Sequence, residues 1–205
     1  MVTIDEVLQV RKYCCISLDN GEKYWIRQSD FVSACFRIGA EYDLNDFRQQ
    51  IRICQYPHAL NHAVSLLARR PYSKLEILNR LLRLNYTEDV SELVVYKLEK
   101  EHLLDDEDFC NQWVHFRQDR GFGPSVIRRE LKMKGIPDEM IDRAFMINNS
   151  EKEYENAVRI ARKAWTRFSS DDLRKKRQKT VLLLVRKGYD WDTARAACAE
   201  AESGK

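Results

Sequence analysis

The chain has 205 residues and a formal net charge of +3. It can bury a substantial core, but its overall charge is too small to demand a polyanionic partner. A charged fraction of 33%, with 7 glycines and 4 prolines, favours helices over a sandwich or barrel. The longest aliphatic run, Val181 to Val185, is too short to cross a bilayer, so no membrane role is predicted.

Residues 2–28 are β-rich. Ile4, Val7, Val10, Tyr13, Cys15, Tyr24 and Ile26 fall in short apolar runs. Asp19-Asn20-Gly21 is the strongest hairpin signal, because a type I′ turn takes positive φ at two adjacent positions. A two- or three-stranded sheet is expected here. Ser29 or Asp30 can cap a short helix through Ile38 that Gly39 closes, and another helix covers Leu44 to Gln55 before Pro57 restarts the chain. Too small to stand alone, this module should pack on the helices that follow.

From His58 onward the pattern is helical. Leu60, Val64 and Leu67 form one stripe. Ser73 with Glu76 fits a capping box, and Ile77, Leu81 and Leu84 form the next stripe. Asn85 takes the C′ position, and Thr87 can cap a helix through Lys100. Phe109, Trp113, Val114 and Phe116 then lie on a helix that Gly121-Phe122-Gly123-Pro124 stops, since proline suits the first turn of the next one. That next helix buries Val126, Ile127 and Leu131 and ends at Gly135. Ala157, Ile160, Ala161 and Trp165 begin a third, looser copy, in which Asp171 and Asp172 precede a basic helix. Its last helix runs from near Asp190 to Ala201, with Ser203, Gly204 and Lys205 as a frayed tail. Superposing Asn85, Gly135 and Gly188 brings Leu81, Leu131 and Leu184 into register, and likewise Ile77 with Ile127 and Val90 with Met140. This is the mark of an internal repeat.

Specific motifs recur in order: Arg70-Pro71-Tyr72-Ser73 with Glu76-Ile77; Leu103-Leu104-Asp105-Asp106 with Phe109; Trp113-Val114; Gly123-Pro124 with Ile127 to Leu131; Lys134-Gly135-Ile136; and Lys175-Lys176-Arg177 leading to Lys187-Gly188-Tyr189. Together they resemble the RecX family of bacterial recombination regulators over about residues 58–200, and the β-rich start resembles the extension of its longer members. Asn85 departs from the family's usual glycine, a change that positive φ tolerates. The resemblance implies a mainly α fold, three tandem three-helix repeats in a curved array, preceded by a small β-rich N-terminal module. The corresponding divisions are residues 1–55, 56–104, 105–149 and 150–205. It also implies binding to the RecA recombinase filament and restraint of its recombinase, ATPase and co-protease activities, by favouring disassembly or blocking extension.

The residues themselves point to binding rather than catalysis. No phosphate loop, nucleophile elbow or paired-carboxylate set occurs, and no cofactor or metal is called for. His58 and His62 are spaced i, i+4 but lack the companion glutamate of a zinc helix. Asp105 to Asp108 sit where acids offset a helix macrodipole. Trp113 and Phe116 read as core. Cys14, Cys15, Cys35, Cys54, Cys110 and Cys198 form no CxxC. With an acidic start unlike a cleavable leader, they predict a reduced, cytosolic protein.

Charge is distributed unevenly. Residues 151–205 hold 14 basic and 9 acidic side chains, which suggests an acidic partner, either DNA or a protein surface. The candidate contacts are Arg117, Arg120, Arg128, Arg129 and Lys132 around the Gly-Phe-Gly-Pro turn, and Arg174, Lys175, Lys176, Arg177 and Lys179 on one helix. Arginine suits both because it offers two parallel donors to carboxylate or phosphate. The alternative reading is a helical protein that binds single- or double-stranded DNA through phosphate contacts. A monomer is expected, although an exposed edge strand in the N-terminal module could pair with a copy of itself.

Overall fold

The computed structural model describes residues 1–147, 150–168 and 172–204; Asp171 and Lys205 lie outside them. The chain divides into two compact units, Met1–Asp105 and Asp106–Lys205. In the first, β1 (Val2–Val10), β2 (Tyr13–Leu18) and β3 (Lys23–Arg27) form an antiparallel meander, and β4 (Glu41–Tyr42) adds a short fourth strand in the order β3-β2-β1-β4. The sheet thus exceeds the expected two or three strands. In the Asp19–Gly21 turn only Gly21 has positive φ. The Leu18 N–H donates to Glu22 O at 2.9 Å, so the hairpin has a three-residue loop instead of the tighter type I′ turn. Ile4, Ile16, Leu18, Tyr24 and Ile26 bury one face against Phe36, Phe47 and Ile51.

Two helices differ from their predicted limits. The first, α1 (Gln28–Ser33), starts after Arg27 with no side-chain cap and ends before Cys35, whose φ is 56°. Ser29 and Asp30 lie inside it. Asp30 instead receives His58 Nε2 at 3.0 Å, tying α1 to the next helix. That helix, α2 (Leu44–Leu67), continues through Pro57. Proline removes one backbone hydrogen bond, but α2 serves two cores. Phe47 and Ile51 enter the sheet core, whereas Ala59, Ala63 and Leu66 enter the next one. The buried stripe is therefore displaced from the expected Leu60, Val64 and Leu67; Val64 is 43% exposed. Alanines on the inner face let α2 approach its neighbour closely.

The first repeat is completed by α3 (Lys74–Leu82) and α4 (Glu88–Lys100). Ser73 and Glu76 form the reciprocal capping box, each backbone N–H donating to the other's side chain at 3.2 Å. Ser73 is fully buried. Ser73→Ala should lower the stability of this unit by about 1–2 kcal/mol, read as a shift in the urea midpoint at unchanged slope.

The second unit holds α5 (Asp106–Asp119), α6 (Pro124–Met133) and α7 (Asp138–Ile147), then α8 (Ser150–Arg167), α9 (Leu173–Lys187) and α10 (Trp191–Ser203). The last helix includes Ser203, which was expected in the tail. Each triplet has its own apolar core. The repeat is written in backbone geometry: Asn85, Gly135 and Gly188 all have positive φ. The N–H of the next residue (Tyr86, Ile136, Tyr189) donates back to Leu81, Leu131 or Leu184 at 3.3, 3.1 and 3.2 Å. This is the 6→1 bond of a Schellman cap, and all three leucines are fully buried. Six residues past each cap stand Ser91, Ile141 and Ala194, and nine past stand Val94, Ala144 and Ala197, all buried.

Repeats two and three meet end to end. Gly123 N–H donates to Lys187 O at 2.8 Å and Ser125 N–H to Gly188 O at 3.1 Å. The free donors starting α6 thus satisfy the free acceptors ending α9, with the two helix dipoles in favourable sequence. A Cβ on Gly123 would lie 2.5 Å from Gly188 C and Tyr189 N. The Gly-Phe-Gly-Pro turn is therefore a docking joint as well as a helix break.

Candidate partner-binding surface

The basic side chains around the α5–α6 turn fall into two groups. Arg117 is internal. Its guanidinium binds both carboxylate oxygens of Glu130, with Nε at 2.7 Å from Oε2, and stacks 3.7 Å from the Phe122 ring centre. Trp113 Nε1 donates to the same Oε2 at 3.1 Å, and the Arg117 side chain is only 15% exposed. Arg128 pairs with Asp142 and covers Phe145, while Lys132 pairs with Asp138 at 2.8 Å. Both tether α6 to α7. Arg120 lies 4.1 Å over Phe116, which is 45% exposed rather than core. Arg129 is exposed, with no acidic partner among the described residues.

On α9 the pattern is similar. Arg177 grips Glu202, with Nε at 2.7 Å from Oε2. The bonded carboxylate raises the Arg177 pKa, and the same hydrogen bond lowers that of Glu202. Lys175 pairs with Asp172 at 3.3 Å. Lys176 sits 4.3 Å over Trp165, and Lys179 is 5.5 Å from the Phe168 ring centre, which Arg167 also covers at 4.9 Å. Arg174 is exposed and meets no acid among the described residues. The buried side of α9 is set by Thr180 and Leu184. Lys175, Lys179, Leu182 and Arg186 share the outward side, all exposed. Leu182 and Arg186 escape a reading based on clustered charge; the i, i+4, i+7, i+11 spacing from Lys175 finds them.

The remaining polar groups offer little chemistry. His58 is engaged by Asp30, and burial beside Arg80 and Arg69 lowers the His62 pKa. Burial pushes the Cys110 thiol up to about 11 and raises the pKa of Cys14, Cys15 and Cys198, which favours the unreactive thiol. Among the described residues no three His, Cys, Asp or Glu side chains gather as a metal site, and no helix is long and apolar enough to cross a membrane.

Three family models match the chain in order: the first three-helix domain of RecX over residues 59–98, the second over 105–144 and the third over 151–198. The chain is 32% identical over 141 residues to the regulatory protein RecX of Mycolicibacterium smegmatis, covering 66% of this chain and 75% of the relative. The chain belongs to the RecX family. Regulatory protein RecX of a Geobacillus strain is 27% identical over 177 residues; the match takes in 85% of this chain but only 65% of that longer relative. A crystal structure of a regulatory protein RecX superposes with a TM-score of 0.67 at 22% identity, covering 98% of this chain and all of the other. That likeness places the N-terminal sheet, as well as the repeats, within a fold seen in a RecX structure. The family models match one repeat each: the first and third fall inside the helix triplets α2–α4 and α8–α10, and the second begins one residue before α5 and ends within α7.

Proposed function

We propose that this protein binds the RecA recombinase filament and restrains its recombinase, ATPase and co-protease activities without catalysing a reaction of its own. The observation that carries this reading is the full ordered set of three RecX three-helix domains, in a family of regulatory proteins. The exposed cations support it. Arg129, Arg174 and Arg186 present charge not spent on a carboxylate among the described residues, and around Leu182 the α9 stripe combines cations with apolar contact area, which suits an acidic protein groove. Arg128, Lys132, Lys175 and Arg177 can still reach a partner with their remaining donors, whereas Arg117 positions the α5–α6 turn.

The test is ATP hydrolysis by RecA on single-stranded DNA. Titrating in this protein should lower the rate. A variant with Arg129, Arg174 and Arg186 changed to glutamate should need about tenfold more protein for the same effect, as expected when several interfacial charges are reversed. No change in rate at several-fold excess of wild type would remove RecA as the partner. The cation–aromatic pairs at Trp165 and Phe168 favour a second reading, contact with nucleic acid. That reading predicts direct DNA binding whose log affinity falls steeply with log salt concentration.

A further inference from the structure

The edge of the N-terminal sheet is unfinished. β4 pairs with β1 only at Val2 and Thr3. The preceding loop extends this as far as Ile4, where Gly39 N–H donates to Ile4 O at 2.8 Å. From Asp5 to Val10, β1 is paired with β2 alone. Its outward-facing backbone N–H and C=O groups have no strand beside them among the described residues. Proteins usually guard such an edge with charge, proline or a bulge. A bulge does stand between Ile4 and Glu6, but Val7, Leu8, Gln9 and Val10 beyond it carry no charge and no proline.

The charges that flank this stretch are ordered. Asp5 and Glu6 precede it, and Arg11 and Lys12 follow it at the hairpin tip. All four are exposed, and none forms an ion pair among the described residues. An antiparallel copy of the same strand, related by a two-fold axis through Leu8, brings the Asp5–Glu6 end of one copy to the Arg11–Lys12 hairpin tip of the other. The two-fold repeats these contacts at the other end. Leu8 then meets its own copy. It is 55% exposed and shares a sheet face with Val10 and Tyr13, which are 41% and 44% exposed. Acids at one end and bases at the other make the edge complementary to itself in the antiparallel sense and to no strand of uniform charge.

We propose that the Asp5–Val10 edge of β1, with Arg11 and Lys12 at its hairpin tip, is a self-association surface, through which two copies of this chain join their sheets in a closed two-fold dimer. An isologous pairing of this kind uses up both free edges and does not propagate. A strand of this length buries less than a standard interface, so the dimer is reversible and forms as protein concentration rises.

Sedimentation of the full chain over a concentration series tests this. Wild type should move from one to two chain masses. Leu8→Lys, which places like charges on the two-fold axis, should weaken association by about tenfold or more. The paired variants Asp5→Lys with Glu6→Lys, and Arg11→Glu with Lys12→Glu, should each be monomeric over the same range yet form a heterodimer on mixing. Circular dichroism on each variant checks the fold, and because these four residues are exposed the mixing experiment stands even where Leu8→Lys disturbs the sheet. A wild type that stays monomeric throughout, a dimer indifferent to Leu8→Lys, or charge variants that do not recombine would each overturn the proposal.

Discussion

Gly123→Ala should cost the second unit about 3 kcal/mol or more, although it adds one methyl group. The backbone at Gly123 (φ −87°, ψ 169°) is open to any residue, so strain in φ is not the cause. The cause is space: the new Cβ would stand 2.5 Å from Gly188 C and Tyr189 N, and backbone cannot yield as a side-chain tip can. Relieving the clash pulls α6 away from the end of α9 and breaks the bonds from Gly123 N–H to Lys187 O and from Ser125 N–H to Gly188 O. Overpacking contributes about 1–3 kcal/mol and each lost buried hydrogen bond about 1 more. Ser125→Ala keeps its N–H and adds no bulk, so it should change stability by less than about 0.5 kcal/mol. Hydrogen exchange read by mass spectrometry locates the effect. Amides from α6, α9 and their caps should lose protection in Gly123→Ala, while those of β1 to β3 keep theirs. Equal stability of the glycine and alanine forms would show that the joint is not close-packed.

The same joint shows which features a sequence displays. Helix ends are local: Ser73 with Glu76, Asn85, Gly135 and Gly188 announce caps through their own conformational preferences, and the structure has each of them. Contacts between elements are not local. Gly123 reads as a helix stop, and nothing in its neighbours says that Gly188 lies against it. Helix α2 fails to read as one helix for a related reason. Pro57 is a valid local stop signal, overridden because Ile51 on one side and Ala59 on the other are held by different cores. Ala59 and Ala63 do not stand out by hydrophobicity, which ranks leucine above alanine, whereas close approach of two helices favours the smaller residue.

The candidate surface was readable to the same degree. Runs of arginine and lysine identify α6 and α9 as basic. They do not tell that Arg117 is spent on Glu130 across a turn, or Arg177 on Glu202 from another helix. Which cations remain available depends on tertiary pairing. The outward stripe of α9, with Leu182 between Lys179 and Arg186, needs only the helical period, once Thr180 and Leu184 have fixed which side is buried.

Gln55→Leu should cost the first unit about 3 kcal/mol or more, for the opposite reason to Gly123. It leaves the volume nearly unchanged and removes hydrogen-bond partners. Gln55 is 2% exposed. Its amide Nε2 donates to Trp25 O at 2.7 Å, at the sheet, and lies 3.4 Å from Asn85 O. Its Oε1 accepts from Thr87 N–H at 2.8 Å and from the Thr87 hydroxyl at 3.1 Å. One side chain thus joins the sheet, α2 and the start of α4. It also explains why Thr87, placed as the N-cap of α4, makes no capping bond of its own. Leucine strands a carbonyl and an N–H, each costing about 1–3 kcal/mol when buried without a partner. Gln55→Glu is the sharper test. A carboxylate there can accept from Thr87 but faces the Trp25 carbonyl with no proton to give, so the neutral acid is the better fit and its folded-state pKa is raised. A raised pKa means that stability is present below the unfolded value and is lost as pH climbs through the folded one. The glutamate variant should therefore approach wild type near pH 4 and fall behind it towards pH 7, a window set by the ordinary glutamate pKa of about 4.3. Urea unfolding of both variants and wild type at several pH values measures this directly. A deficit independent of pH would mean that Trp25 O finds another donor and that the amide is not the link between sheet and repeat.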